Sequence, residues 1–313
     1  MEPGSLQVNP AIQPLPFAAS SLRRLSERLI QSHHQNNYGG AVKRLNAIRA
    51  QLAAVDWAAA PGFVINGLKR EELIAANSMA LHELYFASLG GGGELKPAGK
   101  PAGFGVGLKR DFGTLERWRG EFMALATAMG GGSGWALLSW SARESRLVNH
   151  WAADHTHLLA GATPVLALDM YEHAYHLDFG ADAKGYVAAF MDNIDWDGVA
   201  LRYAVAVEAS TSALAASADQ VQSAADAERI DVRRKGAFDS APELIEGAVW
   251  RDPEHVDQWA PGLRGKEVVV YCVYGHEVGQ ATAARLRDAG VSARYLAGGI
   301  DQWKAAGRPL QPK

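Results

Sequence analysis

The period of the hydrophobic pattern changes twice along this chain of 313 residues, and those changes limit the fold more than any other feature. Apolar residues first recur at three- and four-residue steps, which predicts amphipathic helices. Short apolar runs separated by turn residues follow from residue 134 and predict strands. From Arg229 such runs alternate with helical patterns, as they do in parallel sheets. The sequence therefore predicts two domains: a helical hairpin with an α+β region, and then an α/β domain.

The helical part begins near Ser20 with two apolar stripes on either side of the sequence "YGG" at Tyr38–Gly40. The first stripe consists of Leu22, Leu25, Leu29 and His33, and the second of Val42, Leu45, Ile48 and Leu52. We expect two helices that are joined tightly at Tyr38–Gly40 as an antiparallel hairpin. A third helical run, from Glu71 to Leu89, ends at four consecutive glycines.

Composition divides the chain into five segments. Residues 1–17 contain four prolines and predict an extended arm. Residues 18–93 form the predicted helical hairpin, and residues 94–205 form the α+β region. Residues 206–225 are rich in alanine and serine and lack large core residues, so we expect a linker or a solvated extension of the preceding helix. Residues 226–313 form the predicted α/β domain.

Charge and cysteine content exclude several classes of protein. A net charge of −3 leaves no large basic surface for nucleic acid or anionic lipid. Cys272 is the only cysteine, so the chain has no internal disulfide, which fits a reducing compartment. The first residues lack the basic start and apolar core of a signal peptide, and no apolar run is long enough to span a membrane. We therefore expect a cytoplasmic protein that binds neither nucleic acid nor membrane.

The stretch "ALDMYEHAYH" places ionisable side chains directly after an apolar run. Asp169 ends the predicted strand "PVLALD", and His173 lies four residues later, where we expect a helix to restart. Residues four apart face the same way on a helix, so this pair can bind one cation. His33 and His82 lie in the apolar stripes of separate helices. Three imidazoles and one carboxylate suit Fe, Mn or Zn, and the spacing does not choose among them.

A histidine on an apolar helix face is more often a hydrogen-bonded core residue than a metal ligand. A buried neutral imidazole needs a partner for each ring nitrogen. A metal on one side and a hydrogen bond on the other would provide both partners. The residues alone leave the two interpretations open.

Four motifs, in order along residues 15–205, resemble the iron/manganese superoxide dismutase family. They are "LSERLIQSHHQNNYGGAVKRLN", "SMALHELYF", "GGSGWALL" and "ATPVLALDMYEHAYHLDF". The resemblance implies a three-stranded antiparallel sheet with helices, and disproportionation of superoxide to oxygen and hydrogen peroxide. It also implies one Fe or Mn ion per chain, with the ligands His33, His82, Asp169 and His173.

The same resemblance implies roles for two further residues. Trp135 would form a wall of the active site. Glu172 would cross the interface of a homodimer to a ligand histidine of the other chain, which we expect to be His173. The alternative is that Glu172 is only a surface acid in the first turn of a helix, where the helix dipole favours it.

Several positions near the first and last ligands depart from the family's pattern. Asn37 and Ala41 stand where the family has a histidine and a tyrosine that gate substrate and protons. His176 stands where a tyrosine usually pairs with the gate histidine. We expect Tyr38 or His176 to act in their place.

The glutamine that usually contacts solvent on the metal is also missing. Ser78 occupies the helix position that iron enzymes use, and its side chain is too short to reach that solvent. We expect His155, in "AADHTH", to act as the donor, with Asp154 and His157 as alternatives. These changes leave metal binding in place and leave the rate and the choice between Fe and Mn open.

Cys272 follows the apolar run "EVVVY" and precedes "VYGHEVGQATAARLR". A thiol at a strand end, beneath a loop that opens a helix, meets backbone N–H groups and the positive end of the helix dipole. Both favour the thiolate, whereas the negative charge of Glu277 opposes it. We therefore expect a modestly lowered pKa for Cys272. The alternative is that this lone cysteine is an inert core residue.

Three motifs over residues 226–313 resemble the rhodanese family: "RIDVR", "VYCVYGHEVG" and "LAGGIDQWKAAGRPL". The resemblance implies a parallel sheet and a persulfide on Cys272, with a persulfide donor or acceptor as partner. Val278 stands where a related phosphatase loop needs arginine, which disfavours phosphatase chemistry. His276 and Glu277 replace the basic residues that hold thiosulfate, so a neutral or protein-borne donor, or sulfide sensing, is as consistent as thiosulfate.

The sequence therefore predicts a dimeric, metal-dependent superoxide dismutase with a rhodanese-like domain and a secondary sulfurtransferase activity. The alternative is a protein with the same fold that does not turn over superoxide. In that case the protein is a metal-loaded dimerisation scaffold that presents a rhodanese-like binding module, and the missing gate residues favour this alternative.

Overall fold

A computed structural model describes residues 9–95 and 103–313, and it confirms a helical region, an antiparallel three-stranded sheet and a parallel sheet in that order. The helices of the first region are α1 (Glu27–Ser32), α2 (Gly39–Ala53), α3 (Gly62–Ala87), α4 (Gly103–Phe112), α5 (Leu115–Ala128), α6 (His176–Phe179), α7 (Ala183–Asp192) and α8 (Trp196–Thr211). Its strands are β1 (Trp135–Ser141), β2 (Arg146–Ala152) and β3 (Ala162–Asp169).

The first two apolar stripes form one helical run, which corrects the expected turn at Tyr38–Gly40. The run starts after Ser26, whose hydroxyl accepts from the Leu29 N–H and so caps α1. A π-helical turn over His33–Tyr38 joins α1 directly to α2. The hairpin is formed by α2 and α3, which residues 54–61 connect.

Residues 9–17 of the predicted arm contain no helix or strand and lie against the first helical run. The Gln13 N–H donates to the Tyr38 hydroxyl (2.8 Å), and the Asn46 side chain donates to the Pro10 carbonyl (3.0 Å). Side-chain hydrogen bonds therefore hold this part of the arm. The prediction for residues 1–8 lies outside the described residues.

The three-stranded sheet has β1 in the centre, paired antiparallel with β2 and β3. Every residue of β1 is buried, because helices cover the sheet on both sides and no face of the central strand meets solvent. Trp135, the first residue of β1, pairs with Asp169, the last residue of β3. The register therefore places the predicted wall beside a predicted ligand.

The second region is an α/β domain with a five-stranded parallel sheet in the order β4-β9-β8-β5-β7 and a two-stranded antiparallel sheet of β6 and β10. Its strands are β4 (Ala215–Ala216), β5 (Glu228–Asp231), β6 (Glu243–Ile245), β7 (Ala248–Trp250), β8 (Glu267–Tyr271), β9 (Ser292–Leu296) and β10 (Leu310–Pro312). Its helices are α9 (Ala218–Ser223), α10 (Lys235–Asp239), α11 (Val256–Trp259), α12 (Glu277–Asp288) and α13 (Gly299–Ala305).

The alanine- and serine-rich segment 206–225 is only partly the expected helix extension. Helix α8 continues to Thr211, but Ala215–Ala216 then forms β4, an edge strand of the parallel sheet. Val221 of α9 is buried in the core of the second domain. The segment is therefore no free linker, since small residues suit a short strand and helix that pack closely on the sheet.

Helix α12 packs against α8 and α4 of the first region as well as against its own sheet. Ala281 of α12 belongs to the apolar core of the first region, beside residues such as Phe104 and Tyr203. The helix that follows Cys272 thus lies at the contact between the two domains. Of the helices in residues 9–95 and 103–313, none combines the length and the apolar character needed to cross a membrane.

Candidate metal centre and cysteine loop

The four predicted ligands come together from four elements of the first region. His33 lies in the π-helical turn, His82 in α3, Asp169 at the end of β3, and His173 in a short 3₁₀ turn before α6. One ligand atom from each lies within 4.8 Å of those of the other three. The Nε2 atoms of the three histidines lie 3.1, 3.5 and 3.2 Å from Asp169 Oδ2, in chain order. Three imidazoles therefore surround one carboxylate oxygen.

Asp169 is fully buried and is oriented by contacts on both its side chain and its backbone. Its Oδ1 accepts from the Tyr171 N–H (2.8 Å), and its carbonyl accepts from the Tyr186 hydroxyl (2.8 Å). Burial alone would raise the pKa of Asp169, but hydrogen bonds and charge from His173 and His33 outweigh it and hold the pKa well below its usual range. The carboxylate is therefore ionised at neutral pH.

His82 carries the clearest sign that a group is bound at this cluster. Its Nδ1 donates to the Ser78 carbonyl (2.7 Å), which leaves Nε2 as the acceptor of the neutral ring. That Nε2 is buried and has no hydrogen-bond partner among the described residues, although it faces the cluster. Burial, and then the charge of His33, lower the pKa of His82 to about 3. A neutral nitrogen held in this way is suited to bind a metal, so the donor set fits Fe or Mn.

Aromatic rings enclose the cluster. Trp135, the predicted wall, lies edge-on to His82 (ring centroids 5.2 Å apart). Sequence reasoning missed Tyr85 and Tyr171, whose rings lie 4.9 Å from His33 and 5.4 Å from His173. The sequence did contain a signal for Tyr85. It lies three residues after His82 on the same helix, so the two side chains face the same way.

His155 is the one residue of "AADHTH" that turns towards the cluster. Its Nδ1 accepts from the Trp135 indole N–H (2.9 Å), and its ring stacks on Tyr171 (5.0 Å). Burial lowers its pKa, so the ring is neutral. An indole N–H only donates, which makes the second ring nitrogen of His155 the one that carries a proton.

The two alternative donors point elsewhere. Asp154 and His157 lie on the surface and pair with each other, 3.5 Å between Oδ1 and Nδ1. Asp154 also accepts from the backbone and side chain of Thr156. Both groups therefore serve the turn after β2.

Tyr38 and His176, the expected replacements for the gate residues, lie apart from these contacts. The Tyr38 hydroxyl donates to Glu83 (2.9 Å) and accepts from Gln13, so its hydrogen bonds go to the arm and to α3 rather than to a ligand. His176 is exposed at the start of α6. Glu172 is exposed beside His173, whose side chain is 29% exposed. One edge of the cluster therefore opens to the surface that carries Glu172.

Cys272 lies directly after β8, beneath a loop that leads into α12. Backbone N–H groups of Gly279, Gly275 and His276 face the thiol, as the sequence predicts. Gly275 (φ +71°) has no room for a side chain, since an added Cβ would lie 2.6 Å from Gly298 N. The closing motif holds the loop in return, because the Ile300 N–H donates to the Cys272 carbonyl (3.0 Å).

The expected lowering of the Cys272 pKa is wrong. Burial raises the pKa of the thiol, and the charge of Glu277 raises it further, so that the three N–H groups do not compensate. Glu277 also does not face the loop's mouth. Its Oε1 accepts from the Gly103 N–H of the first region (2.7 Å), whereas His276 and Tyr274 are exposed at the rim.

Comparison with known proteins agrees with this division of the chain. Residues 103–202 match the family described as "Iron/manganese superoxide dismutases, C-terminal domain", and residues 215–306 match the "Rhodanese-like domain". The second match begins at β4, within the segment expected to be a linker.

Several curated relatives match about three fifths of this chain. A superoxide dismutase [Fe] of Cupriavidus metallidurans is 62% identical over 196 residues, which cover 63% of this chain and 97% of the relative. A superoxide dismutase [Mn] 2 of Haloferax volcanii is 35% identical over 199 residues, or 63% of this chain and 96% of the relative. A superoxide dismutase [Fe] of Aquifex aeolicus is 33% identical over 195 residues, or 60% and 89%.

Proposed function

This chain belongs to the iron/manganese superoxide dismutase family, and we propose that it disproportionates superoxide to oxygen and hydrogen peroxide with one Fe or Mn ion per chain. The observation that carries the proposal is the buried cluster of three imidazole nitrogens around one oxygen of Asp169. The full set of proposed ligands is His33, His82, Asp169 and His173.

The donor set suits a small anionic substrate. A bound Fe or Mn ion would supply one-electron redox chemistry between its +2 and +3 states. Neutral imidazoles and a single carboxylate leave such a cation only partly compensated, and the remaining positive charge attracts an anion. Low pKa values of His33 and His82 keep these rings neutral and available as ligands at physiological pH.

His155 is the group that we propose as the outer hydrogen-bond donor. Trp135 holds its Nδ1 as an acceptor, which leaves the proton on the other nitrogen. The Asn77 side chain donates to the His155 carbonyl and so fixes the loop beside α3. Ser78, at the helix position where the family's iron enzymes have glutamine, is short, and its carbonyl accepts from His82 Nδ1. In this proposal His155, which follows strand β2, is the outer hydrogen-bond donor in place of the glutamine on the helix.

We propose a homodimer in which Glu172 contacts His173 of the other chain. The support is the exposure of Glu172 and the partial exposure of His173, the one ligand that is not fully buried. A carboxylate that accepts from the free nitrogen of a ligand histidine orients it and raises its basicity.

We further propose that Cys272 carries sulfane sulfur. The N–H groups around the thiol support this role, because they would stabilise the charged forms of the sulfur. The thiolate would attack the outer sulfur of a persulfide donor and form a new S–S bond. The S–S bond of the donor breaks, and the donor leaves as a thiol. The raised pKa makes this step depend on alkaline pH or on loop opening.

Metal analysis and a superoxide assay on one preparation test the main proposal. Protein from unsupplemented cells should contain close to one Fe or Mn per chain and should remove superoxide, and activity should follow metal content on chelation and reloading. Fully metallated protein without superoxide removal would instead support the non-catalytic scaffold.

A further inference from the structure

We propose that the first domain acts as a clamp on the cysteine loop: the N-terminus of α4 holds Glu277, so that access to Cys272 depends on the contact between the two domains. The inference goes beyond superoxide removal and does not rest on it.

Glu277 is the residue that connects the loop to the first domain. It is the first residue of α12, it is buried, and its carboxylate accepts from the Gly103 N–H of α4 (2.7 Å). A buried carboxylate without a donor is costly, so this hydrogen bond keeps the side chain in the interface. Gly103 leaves room for it, because a Cβ there would lie 2.3 Å from Glu277 Cγ.

The same turn of α12 also forms the surroundings of the thiol. A Cβ on Gly279 would lie 3.4 Å from Cys272 Sγ, and the thiol contacts the His276 carbonyl (3.9 Å). His276 directly precedes Glu277 in the sequence, and Gly279 lies two residues after it. Any movement of this turn therefore changes the cover over Cys272, which is now 6% exposed.

The rest of α12 is fastened to the first domain on the same side. Ala281 packs into the core of the first domain, and the Arg285 guanidinium donates to the Glu144 carbonyl (3.2 Å). These contacts fix the body of the helix. The Glu277 contact is then the one that holds its first turn over the thiol.

The charge of Glu277 has a defined setting in the interface. Tyr203 of α8 is buried beside it, and its pKa is raised by burial and by Glu277 but lowered by the Arg110 guanidinium. Arg110 is itself paired with Asp111. The Glu277 carboxylate therefore lies in the interface within electrostatic range of Tyr203.

The test measures alkylation of the full-length chain by iodoacetamide near pH 7, where Cys272 is the only thiol. Gly103→Ala displaces the Glu277 side chain, although no residue of the second domain is substituted. Gly105→Ala, on the same helix, is the matched control because an added Cβ there meets nothing within 4 Å. Loss of one charge-assisted hydrogen bond shifts an opening equilibrium by about tenfold, so we expect about tenfold faster alkylation in Gly103→Ala and no change in Gly105→Ala.

Glu277→Ala removes the other partner and also the charge that raises the pKa of Cys272, so alkylation should speed up by at least as much as in Gly103→Ala, that is by about tenfold or more. Adding Gly103→Ala to it should then have no further effect, since the displaced side chain is gone. Equal rates in wild type and in both single variants would overturn the proposal, as would effects that add in the double variant. Metal content and superoxide removal, measured on each variant, show that the first domain is folded, so failure of the clamp and failure of the superoxide proposal are distinguishable.

Discussion

The metal cluster and the cysteine loop each contain a buried ionisable group, Asp169 and Cys272, yet the pKa values of these two groups move in opposite directions. Asp169 has its pKa held well below the usual range, whereas the pKa of Cys272 is raised. Burial disfavours the charged form in both places. The difference lies in the partners. Asp169 meets imidazoles from three other elements, two of which, His33 and His173, are hydrogen-bonded to it. Cys272 meets only backbone N–H groups beside a carboxylate.

This contrast shows why one site was easier to infer than the other. A cluster of side chains from separate elements is a costly arrangement that a fold keeps only with a partner for its charge. A neutral cysteine at a strand end under a loop costs the fold little free energy, and its chemistry depends on how far the loop opens. Substitutions at each site can test whether the partners of the two buried groups account for this difference.

The largest effect is expected from Asp169→Ala. Removing the shared carboxylate leaves three neutral imidazoles without a charge to hold a cation, so bound metal should be lost and superoxide removal should fall by at least about a hundredfold. Metal analysis and a superoxide assay measure both. Asp226→Ala, at an exposed aspartate, is the matched control. Full metal content in Asp169→Ala would remove Asp169 from the proposed ligands.

His155→Ala sharpens the comparison by separating metal binding from turnover. We expect kcat/KM for superoxide to fall by roughly tenfold to a hundredfold while the metal is retained, because an outer donor tunes the centre without binding the ion. His157→Ala, in the same turn but on the surface, should leave kcat/KM unchanged. Equal kcat/KM in the two variants would contradict the donor role.

Glu172→Ala tests whether the metal cluster extends across two chains. If Glu172 pairs with the other chain's His173, the dimer dissociation constant should rise by about tenfold or more, and metal retention should weaken. Sedimentation at several concentrations measures the dimer. Glu116→Ala, also an exposed first-turn acid, is the control. An unchanged dimer would leave Glu172 as a surface residue.

The smallest effect is expected from Cys272→Ser on the metal site. Superoxide removal and metal content should equal those of wild type, because no proposed ligand is altered, while any sulfur transfer should disappear.

In wild type the rate of Cys272 alkylation should rise with pH, with a midpoint above the ordinary thiol value of about 8.5, since a raised pKa shifts thiolate formation to higher pH. A midpoint at or below that value would restore the expectation of an activated thiol.

Part of the fold follows from periodicity. Helix α3 and strands β3 and β8 lie where the pattern predicts them, and β1 and β2 lie in the region after residue 134 where short apolar runs predict strands. The pattern failed at Tyr38–Gly40, where glycines suggested a turn but packing keeps a continuous helix. It also failed at Ala215–Ala216, because a two-residue strand is fixed by its neighbour β9 and leaves no pattern of its own.

The site shows the same limit. Ordered motifs led to the four ligand positions, and the Trp135–Asp169 register then followed from the sheet. The Cys272 pKa could not be predicted, because it depends on how deeply the loop is buried and on where Glu277 points. Both depend on the contact with α4, which no local pattern contains.

The π-helical turn at His33–Tyr38 gives the first helical run an unusual tolerance to changes in length. Each hydrogen bond of a π turn spans one residue more than in an α turn, so six residues cover about the arc that five would cover. Deleting one residue inside the turn would restore a regular helix and leave His33 and Val42 on their present faces. The same deletion in α3 before His82 would rotate that side chain by about 100° relative to the preceding part of the helix. The helical run that carries His33 can thus lose one residue, whereas α3, which carries His82, cannot.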